Sequence, residues 1–242
     1  EQVFPVLPED VRESALWMWN KYGRQSELSE RVYMACDGLK QLWRQAHPKI
    51  HAGWKELKNA AELAAQFPGK AYPVAGGKSF FKVVTGPRDH KWLCLLLPSR
   101  QRMLRYFKPE WTPPKKVVVV EERVGHFGDM VKVEVEKIIP GELHYMGIDT
   151  HTRRYMRTSS YGGKWDENLD QGTCADLLRN GMLEMEQGGY PLVLTVHDEN
   201  GAEVDEAFGS VEEAAALMCK EKPWFAGLPL VAEGWEGRRY RK

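Results

Sequence analysis

The sequence is poor in cysteine, in net charge and in long apolar runs, and each shortage excludes a class of protein. Its four cysteines, Cys36, Cys94, Cys174 and Cys219, are far apart and form no Cys-x-x-Cys pair. That speaks against a disulfide framework or a zinc knuckle; they read as small core residues in a reducing compartment. No apolar stretch approaches the length of a membrane span and no signal peptide opens the chain, so no membrane partner is expected. Basic and acidic residues balance at 34 each, leaving a formal net charge of +0, and no global field draws the chain onto a polyanion. There is no internal repeat and no low-complexity segment. What remains is 242 residues, 43% hydrophobic and 28% charged. That is an ordinary globular composition with room for one large domain or two small ones.

The balanced charge is unevenly placed. Arg100, Arg102, Arg105, Lys108, Lys115 and Lys116 cluster, as do Arg153, Arg154, Arg157 and Lys164, and then Arg238, Arg239, Arg241 and Lys242. Such patches suit local contact with phosphate, and equally suit a solvated face balanced by acids elsewhere.

Along the chain, the first 70 residues read as helical. Pro8-Glu9-Asp10 makes a helix start, Tyr22-Gly23 a stop, and Leu28, Val32, Ala35, Leu39, Leu42 and Trp43 recur at helical spacing. Pro48 suits the first turn of a third helix, which stops at Pro68-Gly69. His47 and His51, four apart, have the spacing of a metal pair but no third ligand nearby, and a capping or surface role fits them as well.

From Ala71 to Lys242 the character changes to β-branched runs punctuated by Pro and Gly. Trp92–Leu97 reads as a buried strand. Lys116–Glu122 and Met130–Ile138 alternate with period two about a turn at Val124–Asp129, which predicts a hairpin inserted at about residues 115–140. Leu143–Thr158 predicts strand, turn, strand, and Leu228–Gly234 a short final strand. The fold class expected is α+β, with helices on an antiparallel sheet.

Trp165–Gln187 is the strongest helix pattern. One stripe runs Lys164, Asn168, Gln171, Ala175, Leu178, Met182 and Met185. Its first two turns are polar and its remainder apolar, as expected of a helix that presents hydrogen-bond donors at one end and packs at the other. Emergence from a core into solvent gives the same pattern. Leu192–Val196 then reads as an apolar, buried strand running into the polar corner His197-Asp198-Glu199. A carboxylate on such a corner is held by rigid backbone and still reaches solvent, which suits a cation ligand; a plain polar hairpin tip is the alternative. Asn200-Gly201 just beyond is itself a hairpin signal, and a turn there would carry Asp198 down into the strand.

The tracts YGGKWDENLDQGTCADLL (Tyr161–Leu178), GYPLVLTVHDE (Gly189–Glu199) and LPLVAEGWEGRRYRK (Leu228–Lys242) resemble family A DNA polymerases, the DNA polymerase I superfamily in its phage branch. Upstream, LWRQAHPKIHAGWKELKNAA, LLLPSRQRMLRY and LHYMGIDTHTRRYMR are similar, in order, to the segments that precede these in that branch. The pattern departs from the family at Arg100 and Gln101 in the LPS-R-L-Y strand, at Asn200-Gly201, and in the spacing of Lys164 to Gln171.

The resemblance implies an incomplete polymerase palm with a small fingers-side helical part. It implies that Asp198 is a ligand for the catalytic metals, with His197 against the primer terminus and Glu199 supporting the site. Asn168 and Gln171 match the helix that reads the minor groove of the new base pair, and Lys164 and Arg102 are expected at DNA. The cofactor implied is Mg²⁺, two ions about 4 Å apart, shared with a partner chain, because one aspartate cannot hold both. The family's second aspartate lies in a DYS-like strand, and its triphosphate-binding helix ends in Tyr-Gly after Arg and Lys. Neither is found here, since Tyr22-Gly23 lacks the Arg and Lys.

The partners implied are DNA primer-template, deoxynucleoside triphosphates and a complementary N-terminal polymerase chain. The setting would be the cytoplasm, of a host cell if the protein is viral. The expectation is a C-terminal piece of a split or cleaved polymerase, inactive alone, with part of its sheet edge open and apolar and with poor solubility or association when expressed alone. The second reading is a catalytically inactive scaffold that binds DNA or a replication protein.

Overall fold

A computed structural model describes residues 6–124, 130–149 and 152–240. Two compact units divide the chain, Glu1–Glu56 and Leu57–Lys242. The division falls inside a helix, whereas the change of sequence character lies near residue 70.

The first unit contains α1 (Glu9–Tyr22), α2 (Glu30–Ala46) and the start of α3 (Pro48–Gln66). Glu9 and Asp10 sit in the first turn of α1 and Lys21 in its last, the arrangement that favours the helix dipole. Val11 and Ala15 of α1 and Met34, Ala35 and Gly38 of α2 are buried. Gly38 permits a close approach, because a Cβ there would come within 2.5 Å of Leu7 and 3.3 Å of Val11. Buried Asp37 is bonded by Lys40 and, at 2.7 Å, by Gln41.

The second unit is built on a six-stranded antiparallel sheet. Its order is β1 (Ala71–Val74), β2 (Ser79–Thr85), β3 (Lys91–Leu96), β4 (Met103–Thr112), β7 (Glu142–Ile148) and β8 (Tyr155–Ser159). Period-two alternation puts Phe81, Val83, Leu93, Leu95, Leu143 and Tyr145 on one face. That face packs against Leu57, Ala60, Ala61 and Ala64 of α3 and Trp165 and Leu169 of α4 (Gly162–Gln187). Trp165 is the keystone of this layer. Its ring lies 4.7 Å from Tyr106, 5.4 Å from Phe81 and 5.7 Å from Tyr145. Loss of such a side chain costs about 3–5 kcal/mol.

Strands β5 (Lys115–Val124) and β6 (Met130–Ile139) form a separate two-stranded ribbon between β4 and β7, in register from Lys115↔Ile139 to Val124↔Met130. The cause of the separation is legible. The β4–β7 ladder ends at Thr112↔Glu142, and Pro113, Pro114 and Pro140, which have no N–H to give, stand between it and the ribbon. The turn expected at Val124–Asp129 lies outside the described residues but for Val124.

After α4, Gly189 takes φ +89° and Tyr190 N–H returns to the Met185 carbonyl at 2.9 Å, turning the chain into β9 (Leu192–Val196). Among the described residues strand β9 pairs with β10 (Glu199–Ala202) alone, in a sheet apart from the six-stranded one. The expected burial of this strand is corrected: Val193 is 64% and Leu194 38% exposed, and as neighbours in a strand they lie on opposite faces, so neither face is fully covered and one edge has no strand partner among the described residues. Helix α5 (Val211–Met218) follows, capped by Ser210 Oγ accepting from Glu213 N–H at 3.1 Å. The strand expected at Leu228–Gly234 is not formed. Pro229 cannot donate, no edge among the described residues pairs with the segment, and Val231 is 86% exposed.

Candidate functional site

The β9–β10 hairpin places His197-Asp198 as a two-residue turn, closed by the pair Val196↔Glu199. Both residues are exposed. His197 adopts φ 54°, the left-handed region, at a cost of about 1–2 kcal/mol for a side-chain-bearing residue. Asn200-Gly201 would turn more cheaply, yet it lies within β10, opposite Thr195 and Leu194. The turn therefore keeps Asp198 at the tip and does not draw it down the strand. Glu199, the next residue, accepts a hydrogen bond from the Tyr240 hydroxyl at 2.7 Å. That bond to a carboxylate is the main reason the Tyr240 phenol is held above its ordinary range.

Helix α4 carries the other expected residues. Its buried face is Trp165, Leu169, Gly172 and Asp176, at helical spacing. Asn168 flanks this face, half-buried, and its amide donates to the Tyr106 hydroxyl at 2.9 Å. Burial drives the Tyr106 phenol far up, with the Asn168 bond opposing, so it stays protonated. Gln171 is exposed. Lys164 pairs with Glu167 at 3.0 Å, and the Gln171 amide donates to the same carboxylate at 3.4 Å. Glu167 thus ties together two residues expected at DNA. An exposed pair of this kind is worth about 0–1 kcal/mol and yields readily to a phosphate.

Arg102 is not free to act as a simple surface cation. Its Nε pairs with the Asp176 carboxylate, one Nη donates to the Gly172 carbonyl at 3.1 Å, and Ser99 Oγ donates to the other oxygen of Asp176. The Asp176 side chain is 0% and the Arg102 side chain 40% exposed. Asp176 therefore locks the β3–β4 turn to the middle of α4. Three residues that the sequence reading passed over, Asp176, Tyr106 and Tyr240, each fix one that it named. The signal for Asp176 was available: a carboxylate on the stripe of Trp165, Leu169 and Gly172 is a charge on a core-facing side of a helix.

Beside β9, an open groove of about 400 Å³ is lined by Met182 and Leu183 of α4 and by Leu192, Val193 and Leu194. Arg179, Glu186 and Thr195 complete the lining, so the groove between β9 and α4 is apolar with charged groups beside it; β9 also has an edge that pairs with no strand among the described residues.

Cation binding can be judged from the donor set. Magnesium takes six oxygens, commonly one or two carboxylates with waters and substrate phosphates making up the rest, so a pair of ions needs more than one carboxylate between them. Asp198 offers one carboxylate, Glu199 is engaged with Tyr240, and among the described residues no three His, Cys, Asp or Glu gather as a metal site. These residues by themselves do not fit a pair of magnesium ions. His47 and His51 form no metal cluster either; each lies against a tryptophan ring. Among the described residues no helix is long and apolar enough to cross a membrane.

The site is an exposed carboxylate at the tip of a two-stranded hairpin, with an amide-bearing helix face and an unpaired strand edge elsewhere in the same unit. Comparison with known proteins bears on its class. No protein-family model matches the chain, and no solved structure matches it. Among curated proteins it is similar to a DNA polymerase of Bacillus phage SP02, 28% identical over 204 residues. That alignment takes in 84% of this chain and 27% of the phage protein, so the chain spans about a quarter of its relative's length.

Proposed function

We propose that this chain is the part of a family A DNA polymerase that carries the third palm motif, and that it works with polypeptide outside these 242 residues. The observation that carries this reading is the 204-residue similarity to a phage DNA polymerase. It is supported by the turn that holds Asp198 at an exposed tip and by Gln171 and Lys164 on an exposed helix face. In this reading Asp198 gives one carboxylate to a divalent-cation site. The other carboxylate, and the helix that grips the nucleotide triphosphate, come from the rest of the assembly. Gln171, with Asn168 beside it held by Tyr106, faces the primer-template duplex. His197 lies toward the primer end.

The open edge of β9 and the groove between β9 and α4 fit the need for such a neighbour, since an unpaired strand edge readily pairs with another chain. One observation favours a second reading, a DNA-binding scaffold without synthesis: Glu199 accepts the Tyr240 hydroxyl on one carboxylate oxygen and so is tied to the chain's own tail.

The test is to purify the chain from its native source under gentle conditions and identify what copurifies. The purified assembly is then assayed for magnesium-dependent extension of a primed template. A copurifying polypeptide and extension by the assembly are the expected results. DNA binding by an intact assembly that never extends a primer supports the scaffold.

A further inference from the structure

The first unit carries a surface that the reading above does not use. Between Asp37 and Glu56 the chain contains no Asp or Glu, while Lys40, Arg44, Lys49 and Lys55 all fall there. In a chain whose acids and bases balance, this run is a local excess of positive charge. It spans the end of α2 and the start of α3, the junction at which His47 ends one helix and Pro48 opens the next.

Aromatic side chains meet at this junction. The indoles of Trp43 and Trp54 stack with centroids 5.4 Å apart and planes inclined by 18°. The His47 ring lies 4.7 Å from Trp43, and His51 meets Trp54 edge-on at 6.3 Å. The Arg44 guanidinium stands 5.9 Å from the Trp54 ring, and Arg44 has no carboxylate partner among the described residues. Trp43 is 41% exposed, and Leu39 and Ile50 beside it are exposed as well. Loss of water, and then the charges of Lys55 and Arg44, hold the His51 imidazole below its ordinary range. The positive potential there is therefore felt by a group within the cluster.

A pair of stacked indoles could simply be a hydrophobic seam. A seam that faces protein, however, is ordinarily poor in unpaired cations, because burying them costs more than the apolar contact returns. Aromatic faces interleaved with cations and free of carboxylates suit a ligand with flat rings on a polyanionic chain. Duplex DNA hides its base faces and offers only phosphates to such a surface. A single strand offers both.

We propose that the Trp43–Trp54 surface binds single-stranded DNA, the indoles stacking on unpaired bases and Arg44, Lys49 and Lys55 facing the phosphates. In the polymerase reading, on which only the choice of DNA over RNA rests, the strand is the unpaired template.

The test is binding of the 242-residue chain to a fluorescein-labelled oligothymidine of twenty nucleotides, with a blunt duplex of equal length as comparison. Preference for the single strand is expected. Trp43→Ala and Trp54→Ala should each weaken it about tenfold or more. Lys55→Ala should lessen the dependence of affinity on salt by about 0.7 in the log–log slope. Hydrogen exchange of the unaltered chain, which needs no variant to fold, should show residues 39–55 protected by the oligothymidine. Unchanged affinity in tryptophan variants of native circular dichroism overturns the proposal, as do equal binding of duplex and protection confined to other segments. Oligothymidine binding of this pattern in an assembly that never extends a primer leaves this site standing and removes the polymerase reading. Extension with unaltered binding by the tryptophan variants does the reverse.

Discussion

Asp198 and Asp176 are two aspartates with opposite situations, and the difference fixes what each substitution does. Asp198 is exposed on a turn, and no hydrogen bond or ion pair holds its carboxylate among the described residues. Asp198→Asn should leave the urea midpoint unchanged within error. Asp176 is buried and receives both Arg102 and Ser99. Arg102→Ala leaves that carboxylate with one fewer charged partner, and equilibrium urea unfolding should show a loss of about 1–3 kcal/mol, the lower end reflecting the part-exposed guanidinium. A loss below about 0.5 kcal/mol would mean that Asp176 finds other partners. At this scale the sequence revealed the residue types but not their engagements. Arg102 and Lys164 look alike as basic residues in a cluster, yet one is locked to a buried acid and the other only loosely tied to Glu167.

At the scale of elements, α4 organises the second unit, and two glycines, Gly181 within it and Gly188 at its end, let α5 approach. A Cβ at Gly181 would come within 2.9 Å of the Met218 carbonyl oxygen and 3.1 Å of its Cα, and backbone cannot swing aside as a side chain can. Gly181→Ala should push α5 away and cost about 1–3 kcal/mol in thermal or urea unfolding. The same end of α4 is tethered by buried Glu184, which receives Lys220 at 2.5 Å and also Lys222. Those bonds hold its carboxyl below the ordinary glutamate range. A depressed folded-state value means the tether is fully present above the unfolded value of about 4.3 and is lost as pH falls through the lower folded value. Acid titration of stability should therefore show a component that Glu184→Gln abolishes, with the two proteins differing at neutral pH and converging in acid. Parallel curves would refute the tether.

Helices α2 and α4 were legible from helical spacing and the β5–β6 ribbon from period-two alternation, while α1 and α3 were marked by their start and stop residues. The state of β9 was not legible. Its apolar alternation reads as a buried strand, but burial depends on a neighbouring strand, and no described residue supplies one. Leu228–Gly234 failed for the related reason that apolar content without a pairing edge does not make a strand.

For the whole molecule, the uncovered edge of β9 and the groove between β9 and α4 predict behaviour in solution. At rising concentration the chain alone should associate, seen as a concentration-dependent mass by light scattering. Val193→Lys, a charge on that exposed strand, should reduce the association without lowering stability. The proposed function stands or falls on the Asp198 carboxylate of the hairpin serving nucleotide transfer. The most direct measurement is primer extension by the native assembly with Asp198→Ala in place of the natural chain, after confirming that the assembly forms and binds primed DNA as before. Loss of extension by several orders of magnitude, with binding retained, is the result predicted; extension at the unaltered rate would contradict it.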